Sequence, residues 1–256
     1  MENILRGLDS MIQKNELIVK SLDVKFPQCV WEQTDSCVAR RCINIHKMFI
    51  TVRLLLSYNY DECSINALLR VIADHISSLL LIYSAPTKEE ALLRQYLYLA
   101  DGVSEKIKTL QSSERGKNCI DFNTLNQELD TYINCVKINP LYTKHKVMVD
   151  RFIKNNNWKF KSLTEKDSYS WADLYKEKLN LPINYISYLS QFIHGLAGST
   201  YCSDNTITTS TRITLATFLC LKFSKYLWET TKSIPSEIEM DYLNSMILFY
   251  DTPLAE

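Results

Sequence analysis

Apolar residues recur along this chain at intervals of three and four, which is the period of an amphipathic α-helix. In the segment "NALLRVIADHISSLLLIY", the positions Leu68, Ile72, Ile76, Leu79 and Tyr83 follow this spacing and share one side of a helix. Apolar and polar residues nowhere alternate long enough to predict a sheet, although "NTITTSTRIT" is rich in β-branched residues. The pattern therefore predicts an all-α fold.

The periodic segments place the predicted helices near residues 2–22, 31–58, 62–84, 88–112, 121–137, 142–156, 171–179, 183–194, 207–232 and 236–250. Asp61 and Thr87 stand where they can cap the third and fourth helices. Segment 112–121 is predicted to be an exposed loop, and segment 155–170 is the most polar and least periodic stretch. We expect one domain over 1–256, a bundle of long antiparallel helices with shorter C-terminal helices.

Charge and cysteine content narrow the class of protein. Lys and Arg number 29, equal to Asp and Glu, so no global charge attracts nucleic acid or an anionic membrane. The first residues, "MENILRGLDSMIQKNE", carry charges throughout and lack the apolar core of a signal peptide. The apolar run "ITLATFLCL" is far shorter than the ~20 residues of a spanning helix. None of the eight cysteines forms a C-x-x-C pair, which indicates free thiols. These features predict a cytoplasmic protein without a membrane segment.

Two charged residues interrupt the most apolar of the predicted helices. Arg70 and Asp74 are four residues apart and therefore share a face. If that face is exposed, they form an intrahelical ion pair that stabilises the helix by about 0.2–0.5 kcal/mol. The cation precedes the acid in the chain, which is the weaker of the two orientations. If it is buried, the pair points to a functional site, because desolvating unpaired ions costs several kcal/mol. Burial decides between these two interpretations.

His75 follows Arg70 by five residues and gives the motif R-x4-H in "RVIADH". On a helix of an all-α bundle, this motif resembles the signature of the HEPN superfamily (higher eukaryotes and prokaryotes nucleotide-binding). Many HEPN members are similar to metal-independent ribonucleases of toxin–antitoxin and phage-defence systems. The resemblance implies that Arg70 holds a phosphate and His75 moves a proton at the cleft of a homodimer. It also implies RNA as a partner, and an antitoxin or another defence protein as a second partner.

A second resemblance covers a longer part of the chain. Arg70 and Asp74 are followed by the segment "YISYLSQFIHG", in which L-S-x-F-x-H-G comes after a tyrosine, Tyr185 or Tyr188. This combination is similar to a bacterial all-helical family of unassigned function that is distantly HEPN-like. Ser190 and His194 in this segment are four residues apart, so they share a helical face.

His194 stands at the predicted end of a helix and is followed directly by Gly195. One interpretation is structural, because the helix dipole favours a cation in the last turn and glycine adopts the left-handed capping conformation. In the other interpretation, His194 faces Arg70 and Asp74 across the bundle. Asp74 then orients the ring, His194 acts as general acid or base, and Arg70 holds an anion.

A zinc site is a weaker alternative. Cys37, Cys42 and His46 lie close together in "CVARRCINIH", and all three are possible zinc ligands. No fourth ligand is evident, and the spacing of the two cysteines fits no known finger pattern. We therefore expect buried cysteines and no metal or other cofactor.

Basic residues are concentrated in segment 137–161, which has seven of them against one acid, Asp150. Trp158 and Phe160 are interleaved with the lysines, and basic groups with aromatic rings are typical of single-strand nucleic-acid binding. The candidate nucleic-acid-binding residues are Lys144, Lys146, Arg151, Lys154, Trp158 and Lys159. The alternative is an ordinary solvated surface, whose positive charge is balanced by acidic residues elsewhere in the chain. The zero net charge of the chain allows this.

Two functions from different classes follow from these patterns. The first is an HEPN-like protein of bacterial defence or toxin type that cleaves or binds RNA without a metal ion. Its candidate catalytic residues are Arg70, Asp74, His75, Ser190 and His194. The second is a non-catalytic helical sensor or scaffold in which the same residues form a buried structural network. The sequence leaves open whether the protein is an enzyme.

Overall fold

The computed structural model describes residues 2–58, 61–112, 120–181, 183–193 and 206–231. Within these ranges the chain is helical and forms no strand, apart from an isolated antiparallel bridge between Phe160 and Ser168. The helices are α1 (Glu2–Lys25), α2 (Thr34–Ser57), α3 (Glu62–Tyr83), α4 (Lys88–Gln111), α5 (Ile120–Ile138), α6 (Pro140–Lys144), α7 (Lys146–Lys154), α8 (Trp171–Leu174), α9 (Ile183–Ile193) and α10 (Thr206–Thr231). The predicted all-α fold is confirmed.

The caps predicted for α3 and α4 are both present. The Asp61 carboxylate accepts hydrogen bonds from the backbone N–H groups of Cys63, at 3.2 Å, and Ser64, at 3.0 Å. The Thr87 hydroxyl accepts one from the backbone N–H of Glu90 at 3.2 Å. These bonds satisfy N–H groups of the first turn that have no partner within the helix.

The predicted helix at 142–156 is two helices, α6 and α7. The first begins at Pro140, because the Asn139 side chain accepts a hydrogen bond from the Leu141 N–H at 2.9 Å and proline suits the first helical position. His145, with φ of −127°, leaves the helical conformation and separates the two. The predicted boundary was wrong here because the Asn-Pro start signal was missed.

The predicted helix at 171–179 is only in part α-helical. α8 continues directly into a π-helical turn, Tyr175–Leu179, which ends at Asn180 in the left-handed conformation with φ of 57°. The helix predicted at 236–250 lies outside the described residues.

The chain divides into two compact units. Unit one comprises Met1–Leu80 with Trp171–Glu256, and unit two comprises Leu81–Ser170. The expectation of a single domain stays a prediction.

In unit one, α1 packs against α2 and α10, and α2 also contacts α10. The apolar sides of these helices and of α3 form its core, where the rings of Phe49 and Phe223 lie 5.8 Å apart. Fully buried core residues include Leu8, Ile45, Phe49, Leu69, Ile72, Ile76, Leu219 and Phe223. The periodicity of α3 is therefore that of a helix whose apolar side faces the core.

In unit two, α4 packs against α5, and α6 contacts both helices. The polar segment 155–170 forms an irregular hairpin in which the Tyr169 N–H donates to the Lys159 carbonyl at 2.7 Å. The hairpin contributes to the core, because the fully buried ring of Phe160 stacks on Phe152 with 4.6 Å between their centroids.

Among the described residues, α3 is the one helix that is long and apolar enough to cross a membrane. Of its most apolar window, 67 % is buried inside the protein. A soluble core helix and a membrane span share this length and composition, so these two properties do not separate them. Burial of this kind is typical of the core helix of a soluble protein.

Candidate functional site

α3 carries a row of four polar residues, spaced by four, along an otherwise apolar helix. They are Glu62, Asn66, Arg70 and Asp74. Residues four apart lie one above the other on a helix, so the row forms a polar stripe on one face. Three of the four are buried, with Asn66 at 0 % and Arg70 and Glu62 at 7 % exposure. Polar groups at this depth need partners, and other segments of unit one supply partners to Glu62 and Arg70.

Arg70 lies at the centre of a cluster drawn from three separate segments of unit one. Its Nε donates to Asp74 Oδ2 at 3.2 Å, and its Nη1 donates to Ser190 Oγ on α9 at 3.3 Å. The guanidinium carbon lies 4.8 Å from the centre of the Tyr175 ring in the π-helical turn. Both hydrogen bonds are at the long end of the usual range. The structure thus brings together three of the predicted residues, Arg70, Asp74 and Ser190.

Asp74 is partly accessible to solvent, with 28 % of its side chain exposed. Its Oδ1 accepts a hydrogen bond of 2.5 Å from the Tyr175 hydroxyl. Burial raises the pKa of Asp74 above its usual value, although the bonds from Tyr175 and Arg70 act in the opposite direction. Burial and the Asp74 charge also raise the pKa of Tyr175, so the phenol remains a donor.

Tyr175 is a residue that the sequence patterns did not indicate. It is fully buried and lies 101 positions from Asp74 in the chain. The predicted helix at 171–179 has an apolar side that includes Tyr175. Such a pattern indicates that Tyr175 belongs to the core, but it does not indicate what the Tyr175 hydroxyl binds.

Ser190 is half-buried, and its hydroxyl accepts the hydrogen bond from Arg70. It lies on α9, which ends at Ile193. His194 and Gly195 lie outside the described residues, so the two interpretations of His194 stay predictions.

His75 lies on a different side of α3 from Arg70. Five residues along a helix correspond to a rotation of about 140° from Arg70. Near His75 stands Arg41, whose Nη2 donates to Ser78 Oγ at 2.5 Å. Burial and the charge of Arg41 lower the pKa of His75, which favours the neutral imidazole. The structure therefore places the two residues of the R-x4-H motif in separate surroundings.

The other end of the polar stripe was not predicted as part of a site. Glu62 forms a buried ion pair with Arg212 of α10, with 6 % and 4 % of their side chains exposed. Asn66 lies one turn further on, and neither its Oδ1 nor its Nδ2 has a hydrogen-bond partner among the described residues. The signal that would have found both residues is the four-residue spacing that they share with Arg70 and Asp74.

The three residues considered as zinc ligands have other surroundings. His46 Nε2 lies 2.6 Å from Glu16 Oε2. Cys37 lies beside Cys29, with 3.6 Å between the sulfur atoms. Burial raises the pKa of the Cys42 thiol to about 12, which disfavours the thiolate that zinc requires. Over the part of the chain that the structure describes, no three His, Cys, Asp or Glu side chains are grouped to hold a metal ion.

The basic segment forms part of the surface of unit two. Of the candidate nucleic-acid-binding residues, Lys144, Lys146, Arg151 and Lys154 are exposed and Lys159 is half-buried. Trp158 has 4 % exposure, packs edge-on against Tyr98 and donates its indole N–H to Asp101 at 3.1 Å. The indole is therefore part of the packed interior rather than a surface platform for a base. Nucleic-acid binding by the basic residues stays a prediction.

Comparison of the chain with protein-family models, with curated proteins and with solved structures finds no match. The chemistry of the Arg70 cluster can be stated from its geometry. Arginine has five N–H donors, and Arg70 uses two of them among the described residues. The cluster therefore combines a partly exposed carboxylate and two hydroxyl groups with a guanidinium whose remaining N–H groups can bind a phosphate group.

Proposed function

We propose that this chain is an HEPN-like, cytoplasmic protein of bacterial defence or toxin type that binds or cleaves RNA without a metal ion. The observation that carries the proposal is the setting of Arg70, which is 7 % exposed and held by two long hydrogen bonds beside a partly exposed Asp74. A guanidinium in such a setting keeps N–H groups for a phosphate, and low-dielectric surroundings strengthen its attraction for an anion.

Metal-independent RNA cleavage needs a base for the 2′-hydroxyl proton and a cation for the charge on the phosphorane. The 2′-oxygen forms a bond to phosphorus while the bond from phosphorus to the 5′-oxygen breaks, and the leaving 5′-oxygen takes a proton from water. In this proposal Arg70 is the cation and Asp74 fixes its position. The base is His194, as the second sequence motif suggests, because His75 lies on a different side of α3 from Arg70.

The resemblance to HEPN proteins adds the expected partners. We propose a homodimer, since HEPN relatives form their active site between two subunits. An antitoxin or another defence protein is the expected partner of the dimer, RNA is the expected substrate, and no membrane is involved.

The proposal is tested by inducing the wild type and Arg70→Lys in a bacterial host, with total RNA run on a gel. Lysine keeps the positive charge but lacks the planar fork that binds phosphate through two N–H groups. Arg40→Lys is the matched control, because Arg40 is a partly exposed arginine that pairs with Asp23 elsewhere in unit one. We expect growth arrest and RNA fragments for the wild type and Arg40→Lys, but not for Arg70→Lys. Intact RNA on inducing the wild type, together with neither cleavage nor binding of RNA by the purified protein, contradicts the proposal.

A second candidate function is a non-catalytic helical sensor or scaffold. It is favoured by the mutual pairing of Arg70, Asp74 and Tyr175, since a buried network of this kind also specifies how helices pack. The effect of Arg70 on stability separates the two candidates, because a structural network loses stability when one partner is removed.

A further inference from the structure

A polar cavity in unit two is distinct from the Arg70 cluster. Its volume is about 400 Å³, and its lining includes Asp101, Arg151, Asn155, Asn156, Lys159 and Lys166. This volume falls in the range of small-molecule binding sites. Its lining is mostly polar, whereas pockets for apolar ligands are lined by hydrophobic side chains. The cavity therefore suits a ligand with charged and hydrogen-bonding groups.

The charges around the cavity favour an anion. Arg151, Lys159 and Lys166 are cations, and Asp101 is the one acidic residue among the described lining residues. Arg151 and Lys166 are exposed, and within the described ranges neither side chain forms an ion pair or a hydrogen bond. Arginine and lysine are the side chains that bind phosphate groups, and Arg151 can do so through two N–H groups at once.

Asp101 gives the cavity an acceptor beside the cations. Its Oδ2 accepts the indole N–H of Trp158 at 3.1 Å, and its carboxylate makes no other hydrogen bond among the described residues. Oδ1 is thus able to accept a hydrogen bond from a ligand hydroxyl, as an acidic side chain does for ribose in nucleotide sites. Burial raises the pKa of Asp101, which is half-buried.

The wall of the cavity is held in place by the fold. The chain turns at Asn156, whose φ of 48° is in the left-handed region that asparagine tolerates. The Asn157 side chain donates to Ser168 Oγ at 2.7 Å and ties the turn to the second arm of the hairpin. Arg94 Nη1 donates to the Phe160 carbonyl at 2.8 Å and fixes the first arm to α4. A cavity with fixed walls binds with less loss of conformational entropy.

We propose that this cavity binds a ribonucleotide, with Arg151 and Lys166 on its phosphate and Asp101 on a ribose hydroxyl. The side-chain amides of Asn155 and Asn156 then face the base, whose edges present donors and acceptors that amides match. A free mononucleotide and the end of an RNA strand share this chemistry. The inference does not rest on the Arg70 cluster, because it concerns other residues in the other unit, of which Arg151 and Lys159 are also among the predicted nucleic-acid-binding residues.

The test is isothermal titration of the full chain with AMP, inorganic phosphate and a single-stranded RNA hexamer. Arg151→Ser and Lys166→Ser each remove one charge from the cavity. Lys137→Ser removes one charge from α5, where Lys137 is exposed and does not line the cavity. We expect AMP to bind about tenfold more weakly to each cavity variant, as the loss of a charge-assisted hydrogen bond predicts, and to bind Lys137→Ser within about twofold of the wild type.

Asp101→Asn tests the hydroxyl contact. Asparagine keeps an oxygen for the Trp158 N–H, so the variant retains the contact that packs the indole. We expect the ratio of AMP affinity to phosphate affinity to fall. An unchanged ratio contradicts the ribose contact.

The three probes also distinguish the source of the ligand. If the hexamer binds with higher affinity than AMP, and AMP competes with it, the ligand is an RNA strand. If AMP binds with the same affinity as the hexamer, the ligand is a free nucleotide. The proposal is overturned if neither AMP nor the hexamer binds, or if Lys137→Ser weakens binding as much as the cavity variants do.

Discussion

Arg94 and Arg70 are both buried arginines that pair with a carboxylate four residues away on the same helix and lie over an aromatic ring. Arg94, in unit two, binds Glu90 Oε1 through Nε at 3.0 Å and Nη2 at 2.8 Å. Its Nη1 donates to the carbonyls of Phe160, at 2.8 Å, and Trp158, at 3.4 Å. Arg70, in unit one, makes two side-chain hydrogen bonds of 3.2 and 3.3 Å among the described residues.

The comparison teaches that the same pair of residue types serves two purposes. In α4 the acid precedes the arginine, which is the stronger orientation, and the guanidinium joins the helix to the hairpin backbone. In α3 the arginine precedes the acid, and its carboxylate is more exposed, at 28 % against 16 % for Glu90. Arg94 is therefore a structural link, whereas Arg70 retains donors for a ligand.

The largest expected effect is that of Arg94→Met on stability. The substitution leaves Glu90 and two backbone carbonyls without their donor, and removing one partner of a buried pair costs about 3–5 kcal/mol. Urea unfolding, followed by tryptophan fluorescence, measures this loss in the free energy of unfolding. Arg40→Met, at a partly exposed ion pair, is expected to cost at most about 1 kcal/mol. A loss for Arg94→Met no larger than that of the control would show that Arg94 is not a structural link.

Arg70→Met is expected to cost less than about 2 kcal/mol in the same experiment, since Asp74 keeps solvent access and its bond from Tyr175. The variant is expected to lose RNA binding and cleavage despite this small change. A loss of stability equal to that of Arg94→Met would instead identify Arg70 as part of a structural network and favour the helical sensor or scaffold.

Asp74→Asn is expected to change how stability depends on pH. Because burial raises the pKa of Asp74 above its unfolded value of 3.8, the folded state favours the protonated carboxyl. This contribution is fully present below the unfolded pKa and is lost as the pH rises through the folded pKa. The free energy of unfolding of the wild type, relative to Asp74→Asn, should therefore fall as the pH is raised from 3.8. A rise of this relative free energy with pH would show that Arg70 and Tyr175 lower the pKa of Asp74 by more than burial raises it.

The smallest expected effect is that of Ser190→Ala. Its hydrogen bond with Arg70 is 3.3 Å long, and the serine is half-buried, so we expect a loss of about 0.5 kcal/mol in the free energy of unfolding. Ser224→Ala is the matched control, because the fully buried Ser224 hydroxyl lies 2.8 Å from the Asn15 side-chain nitrogen. The control is expected to lose about 1–2 kcal/mol. An effect of Ser190→Ala larger than that of the control would mean that Arg70 is held firmly by Ser190.

Much of the fold could be predicted from the sequence because helical periodicity is a local property. The spacing of apolar residues predicted α3 almost to its ends, and the caps at Asp61 and Thr87 followed from their side chains. Periodicity also placed Arg70 and Asp74 on one face. It could not predict their burial, which depends on the helices that pack around α3.

Contacts between distant segments were beyond prediction from one sequence. The bond between Tyr175 and Asp74 joins residues 101 positions apart, and nothing in the segment around Tyr175 indicates what its hydroxyl binds. Trp158 lies in a polar and irregular segment, which suggested a surface residue. It is buried because Arg94 binds the backbone around it and Asp101 accepts its indole N–H.

The most direct test of the central claim, that Arg70 is a functional arginine, is RNA cleavage by the purified full chain in the presence of EDTA. Wild type, Arg70→Met and Arg40→Met are compared well below their melting temperatures and at equal helical content. We predict that the wild type and Arg40→Met cleave RNA, and that Arg70→Met does so about a hundredfold more slowly, as expected when one stabilising donor is removed from a transition state. Equal cleavage by Arg70→Met and the wild type, or RNA left intact by the wild type, would contradict the claim.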